Sequence, residues 1–162
     1  TLEPSSAASD VYKRQDQETS IVHGDFRLDN MIFDPITHEV KAILDWELST
    51  LGNPIADFTY HMMSWRLPAG AKGLGMMGSD LKSLNIPSES EYAELYYKKT
   101  GREKIDNWDF YMAYNIFRLA GIAQGIVGRV RDGTASSSEA KNYEAFVPIL
   151  GKLGWSIVEG IK

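Results

Sequence analysis

Eight consecutive residues, His23-Gly24-Asp25-Phe26-Arg27-Leu28-Asp29-Asn30, put a histidine, two aspartates, an arginine and an asparagine between two apolar runs, Ile21-Val22 and Met31-Ile32-Phe33. The flanks favour burial, so the polar loop is held on a scaffold at both ends. Loops held in this way are where binding and catalytic side chains concentrate. The next segment has the pattern of a β-hairpin. Met31-Ile32-Phe33-Asp34 and the run from Val40 to Trp46 are short β-type segments, and Pro35 opens a polar turn between them. Alternation places Val40, Ala42 and Leu44 on one side and Lys41, Ile43 and Asp45 on the other. Antiparallel strands bring their outer ends together, so Asp45 returns toward Asp25 and Asn30. Convergent oxygen donors of this kind suit magnesium, which takes few protein ligands and leaves room for phosphate oxygens and water. A carboxylate that need not bind metal can accept a proton from an attacking hydroxyl.

The rest of the chain reads as mostly helical. Asn53 can cap a helix with Pro54 at its first position. Ser88 and Glu91 form a capping-box pattern, and Gly101 is a natural stop. A long helix is expected from about Asp106 to Val130. It is apolar on nearly every face, which predicts a central place in a helical bundle. The segment around Tyr143 to Ile161 predicts one or two helices, bent or split at Pro148. Between the first two helices, the Gly- and Met-rich stretch 66–80 is expected to be a mobile loop. Its Gly-Leu-Gly lacks the Lys-Ser/Thr of a phosphate loop.

Composition narrows the function. The 162-residue chain has 43 % apolar and 24 % charged residues, ordinary for a globular domain. A net charge of −5 speaks against a nucleic-acid partner. With no cysteine and three scattered histidines, thiolate and histidine-based metal sites are disfavoured. No apolar run is long enough to span a bilayer and no secretion signal opens the chain, so no membrane partner and a cytoplasmic location are expected.

Protein kinases carry H-R-D-x-x-x-x-N in the catalytic loop and a later magnesium-binding Asp. Here the sequence reads H-G-D-F-R-L-D-N, then a hairpin, then Leu44-Asp45-Trp46-Glu47. The stretch from Ile21 to Tyr60 resembles the aminoglycoside phosphotransferase and choline kinase superfamily. Within it, the pattern is most similar to the kinase-like domain attached to some acyl-CoA dehydrogenases, and the similarity extends over roughly residues 20–158. The resemblance implies an α+β, mostly helical fold: the C-terminal lobe of a protein-kinase-like fold, with one small hairpin carrying the metal-binding Asp. It implies Asp25 as catalytic base and Arg27 as a neutraliser of the γ-phosphate. Asn30, Asp45 and Glu47 would be magnesium ligands, and His23 and Asp57 would brace the catalytic loop. Mg²⁺ and ATP are the implied cofactor and co-substrate, with a small-molecule hydroxyl, such as a hydroxyacyl-CoA or hydroxy acid, as acceptor. An acyl-CoA dehydrogenase domain is the implied partner. Arg118, inside the long apolar helix, must snorkel, pair with a carboxylate or face a cleft, and is a substrate-side candidate. Asp29 reads as a solvated loop residue.

Residues 1–16, polar and Ser/Ala-rich, are expected to be a disordered or non-native leader. Residues 17–162 form the expected kinase-like lobe. No Gly-rich strand-turn-strand and no lysine-bearing strand precede the loop, so the nucleotide-covering lobe is expected to be absent and enzymatic competence is open. The alternative is a catalytically silent binding module with the same fold. A face left uncovered by a missing lobe would favour self-association.

Overall fold

A computed structural model describes residues 18–69, 75–135, 140 and 142–161. The leader at 1–16 and the centre of the Gly/Met loop, 70–74, lie outside the described residues. The chain divides between residues 58 and 59 into two compact units.

The first unit is built on two small antiparallel sheets. Strand β2 (Met31–Phe33) pairs with β3 (Val40–Ile43), in the register Met31 to Ile43 and Ile32 to Ala42, with an irregularity between Ile32 and Phe33. This is the expected hairpin. Its turn is set by Asp34, whose carboxylate accepts the N–H groups of Thr37 and Ile36, both at 2.9 Å. Those two bonds hold the Asp34 carboxyl below its ordinary range. A second pair was not expected from the sequence: β1 (Ser20–Val22) lies against β4 (Thr50–Gly52). Each of these strands is three residues long, too short for alternation to show. The cross-strand neighbours Ile21 and Leu51 are 72 % and 71 % exposed, so no buried periodicity marks them. The expectation that Asp45 continues the alternation of β3 also needs correcting. The strand ends at Ile43, and Asp45 takes a left-handed conformation (φ 65°, ψ 49°) at the head of a 3-10 turn, Trp46–Leu48.

Helix α1 (Pro54–Met62) opens as expected, with Asn53 Oδ1 accepting the Ile55 N–H at 2.9 Å. Its last residues belong to the second unit, with α2 (Glu89–Thr100), α3 (Trp108–Arg131) and α4 (Tyr143–Gly160). The capping box at Ser88 and Glu91 is formed in both directions, and Gly101 closes α2 in the left-handed region. The base of the Gly/Met loop is pinned, because Met77 N–H donates to Leu67 O and Ala69 N–H to Met77 O.

Helix α3 departs from the expected central helix. It buries one stripe, Met112, Ala113, Asn115, Ile116, Leu119, Ala120 and Ala123, and packs chiefly on α4. Phe110, Tyr114 and Ile122 are exposed, and Phe117 is 74 % exposed. Apolar content reports a tendency to be covered, not which neighbour does the covering. Full burial of Met112, Ile116 and Leu150 contributes roughly 1.5–3 kcal/mol per side chain. The buried Asn115 Nδ2, donating to Thr59 Oγ1 at 2.9 Å, contributes about 1 kcal/mol. The apolar stripe therefore holds the helices, and the polar pair fixes their register. Helix α4 is a single helix through Pro148, so the split that the proline allowed does not occur. Pro148 faces solvent, where a carbonyl freed by the missing backbone bond is open to hydration. Among the described residues, no helix is long and apolar enough to cross a membrane.

Arg66 ties three of these segments. Its Nε and Nη2 fork onto the Glu89 carboxylate at 2.9 and 2.6 Å, and its Nη1 donates to Asp109 Oδ1 at 2.6 Å. Near it, His61 lies largely buried against the rings of Trp65 and Tyr92. Burial pushes its pKa below the ordinary histidine value. The unfolded chain, with a histidine pKa of about 6.5, then binds the proton more readily than the fold does. Stability from His61 is complete above about pH 6.5 and is lost as pH falls through the depressed folded value. Melting temperature measured from pH 7.5 to pH 5 should fall less steeply in His61→Phe than in the parent chain. An identical slope in both would remove His61 as the cause.

Candidate active site

The polar loop leaves β1 at Val22 and is held from three directions. From below, Asp57 in the first turn of α1 accepts two backbone N–H groups, those of His23 and Gly24, the latter at 2.8 Å. The His23 ring supplies the second tie. Its Nδ1 accepts the Asp25 N–H at 3.2 Å, so the ring proton sits on Nε2, which donates to Leu44 O at 2.7 Å. The ring is 2 % exposed and lies 4.7 Å from the Trp46 ring. The third tie is backbone to backbone, Leu44 N–H to Asn30 O at 2.8 Å. The loop and the segment carrying Asp45 are thus bound to each other at two points.

Within this frame the chemistry-bearing side chains of the loop meet. Asn30 Nδ2 donates to both the carbonyl and the carboxylate of Asp25, at 2.9 and 3.0 Å. Both amide hydrogens are thereby directed at Asp25, which leaves Oδ1 as the Asn30 atom suited to a cation. Arg27 Nη2 pairs with Asp29 Oδ2 at 2.8 Å, and Arg27 Nε stands 3.9 Å from Asp25 Oδ2. The loop closes on itself through a 3-10 turn, Leu28–Asn30.

Two backbone positions show why this segment folds as it does. Gly24 has φ +85°, and a Cβ there would stand 2.5 Å from Leu48 O. Both the angle and the space require glycine. Asp45 adopts the same left-handed region with a side chain, at a cost of roughly 1–3 kcal/mol. It stands at the exit of β3, next in the chain to Leu44, the residue bonded to Asn30. Glu47 lies two residues further on and is exposed. Among the described residues, no three His, Cys, Asp or Glu side chains gather into a metal-holding group. Any cation here would rely on Asn30 and Asp45 with oxygen donors from a substrate or water. Arg118 belongs to the other unit, with its guanidinium 4.8 Å above the ring of the buried Tyr60. Sequence reasoning missed Asp29 as the partner of Arg27, Trp46 as the neighbour of His23, and the requirement for glycine at 24. Only the last had a readable signal, a Gly between two polar loop residues.

The comparisons with known proteins agree with this geometry. The pattern of the phosphotransferase enzyme family matches residues 4–95. Acyl-CoA dehydrogenase family member 10 of Mus musculus is 46 % identical over 140 residues, spanning 86 % of this chain and 13 % of the relative. Acyl-CoA dehydrogenase family member 11 of Homo sapiens is 37 % identical over 140 residues, 86 % of this chain and 18 % of that one. The chain therefore spans less than a fifth of either curated relative. A crystal structure from Ralstonia eutropha, of a protein provisionally named an aminoglycoside phosphotransferase, superposes with a TM-score of 0.83 at 49 % identity, covering 89 % of this chain and 44 % of that one.

The left-handed positions give a direct test of the local geometry. Asp45→Gly should be more stable than Asp45→Ala by about 1 kcal/mol, since only glycine takes φ 65° without strain. Gly24→Ala should cost more than about 1 kcal/mol in chemical denaturation, and parity with the parent chain would contradict the contact with Leu48. Fold, loop geometry and likeness converge on one assignment: this chain belongs to the phosphotransferase enzyme family.

Proposed function

We propose that residues 20–57 form the catalytic loop and metal-holding turn of a Mg²⁺- and ATP-dependent phosphotransferase acting on a small-molecule hydroxyl. The observation that carries the reading is the pairing of Asn30 with Asp25, which orients one carboxylate and one amide oxygen from a single loop. Asp25 is the base. Its carboxylate accepts the proton of the acceptor hydroxyl as that oxygen bonds to the γ-phosphorus and the bond to the bridging oxygen of the nucleotide breaks. Asn30 Oδ1 and the Asp45 carboxylate are the magnesium ligands, and Glu47 is a further carboxylate on the same turn. These are hard oxygen donors, the type magnesium takes. Bound Mg²⁺ supplies charge neutralisation on the transferred phosphate. Arg27 adds a fixed positive charge to the same task. His23 and Asp57 hold the loop through the bonds described above.

We take a hydroxyacyl-CoA or hydroxy acid as the acceptor, and a dehydrogenase domain as the partner in a longer polypeptide, because the similar chains are named as acyl-CoA dehydrogenase family members. Two measurements test the reading. Mn²⁺, which accepts the same oxygen ligands, should broaden the Asn30 side-chain amide signals in an NMR titration, and Asp45→Ala should abolish the effect. With ATP, Mg²⁺ and a panel of hydroxyacyl-CoA and hydroxy acid acceptors, Asp25→Asn should lower kcat by about 10²–10⁴-fold. Near-normal turnover in that variant would sink the assignment of the base.

A further inference from the structure

The Arg27 guanidinium is divided between two carboxylates, and the division is unequal. Nη2 holds Asp29 Oδ2 at 2.8 Å, whereas Nε stops 3.9 Å short of Asp25 Oδ2. That Nε is buried and finds no hydrogen-bond acceptor among the described residues. A separation of 3.9 Å is too long for a hydrogen bond, though it is within reach of a charge. A guanidinium beside a carboxylate ordinarily closes a two-point fork, the strongest arrangement open to both groups. Here the fork onto Asp25 is not closed. Among the described residues, the acidic group that competes for the same guanidinium is Asp29. The backbone arranges this: Arg27 is extended (φ −152°, ψ 163°), and the 3-10 turn after it brings Asp29 back toward it. Asp29 is 61 % exposed in its side chain, and Arg27 is its one bonded partner among the described residues.

We propose that Asp29 is a positioning residue, a decoy carboxylate that holds Arg27 back from Asp25. The base then stays open to an acceptor hydroxyl while the cation waits beside it, with a buried N–H unspent, for an incoming phosphate oxygen. The inference rests on the reading of Asp25 as the base. Without Asp29, Arg27 swings onto Asp25 and closes the fork, covering the oxygen that must receive the proton. Asp25 Oδ2 already accepts from Asn30, so a fork would bring the donors on its two oxygens to three and leave the hydroxyl to compete for the remaining lone pair.

The first experiment needs no turnover. In the parent chain the Arg27 Nε–H resonance should lie at the upfield position of a guanidinium proton that has no hydrogen-bond acceptor. In Asp29→Ala, and in the isosteric Asp29→Asn if the alanine variant fails to fold, it should shift downfield and exchange at least about tenfold more slowly, as the new bond to Asp25 forms. Kinetics supply the second arm. Asp29→Asn should lower kcat at least about tenfold with the nucleotide KM within about twofold, and Asp29→Glu should recover most of the loss. In an Arg27→Ala background, removing Asp29 should cause no further loss, because nothing remains to hold back. An unchanged Nε–H signal in the Asp29 variants overturns the inference. So does a loss of kcat that persists in full on Arg27→Ala, which would mark an independent role for Asp29. If Asp25→Asn keeps normal turnover, the phosphotransferase reading fails instead, and the Nε–H signal still reports whether Asp29 restrains Arg27.

Discussion

One carboxylate organises the loop. Asp57 accepts the backbone N–H groups of His23 and Gly24 from the first turn of α1. Both bonds are charge-assisted, hence about twice as strong as neutral ones. Leaving two such N–H groups without an acceptor costs roughly 1–3 kcal/mol each. No neighbouring backbone can substitute, because the chain at Gly24 turns left-handed and leaves the β1 ladder. Once His23 is placed, its neighbours are placed in turn. Its ring fixes the Asp25 N–H on one side and the Leu44 carbonyl on the other, and Leu44 in turn holds Asn30. Residues far apart along the chain are therefore positioned by a line of bonds starting from one side chain.

The left-handed positions at 24 and 45 answer different needs. At 24 the fold must bring Leu48 O against the backbone, and any side chain would occupy the same space. At 45 an aspartate takes a conformation that glycine would adopt more easily. Aspartate is among the few residues that tolerate this region, which makes a strained backbone and a carboxylate compatible at one position. The same preference for local geometry over intrinsic propensity appears at Asp29. An exposed loop acid of that kind is usually energetically idle, and here it is the bonded partner of the arginine beside the proposed base.

The helical unit shows a different division between pattern and place. The helix-capping signals of the chain were local, Asn53 with Pro54, Ser88 with Glu91, and Gly101, and all three stand where their chemistry puts them. Caps are legible because donor and acceptor lie within about one turn of each other along the chain. Helix α3 was legible as a helix and not as a position, since its aromatic residues fall on both the covered and the open face. Of the one or two helices expected around Pro148, the structure has one, because a proline's cost in a helix depends on whether water reaches the freed carbonyl.

The sequence by itself determined the elements of the site: the His-Gly-Asp loop, the Asn five residues beyond Asp25, the hairpin, and the Asp on its far side. These are short-range facts, carried by residue type and spacing, and they suffice to identify the family. Tertiary structure alone decided the rest. The β1/β4 pair joins Ser20–Val22 to Thr50–Gly52, segments far apart along the chain with too few residues to show a pattern. The His23 ring chose Leu44 O and Trp46, and Arg27 chose Asp29 over Asp25, because of distances that no spacing rule contains. Residue type says which atoms can donate or accept; only the folded chain says which of them come within about 3 Å of each other.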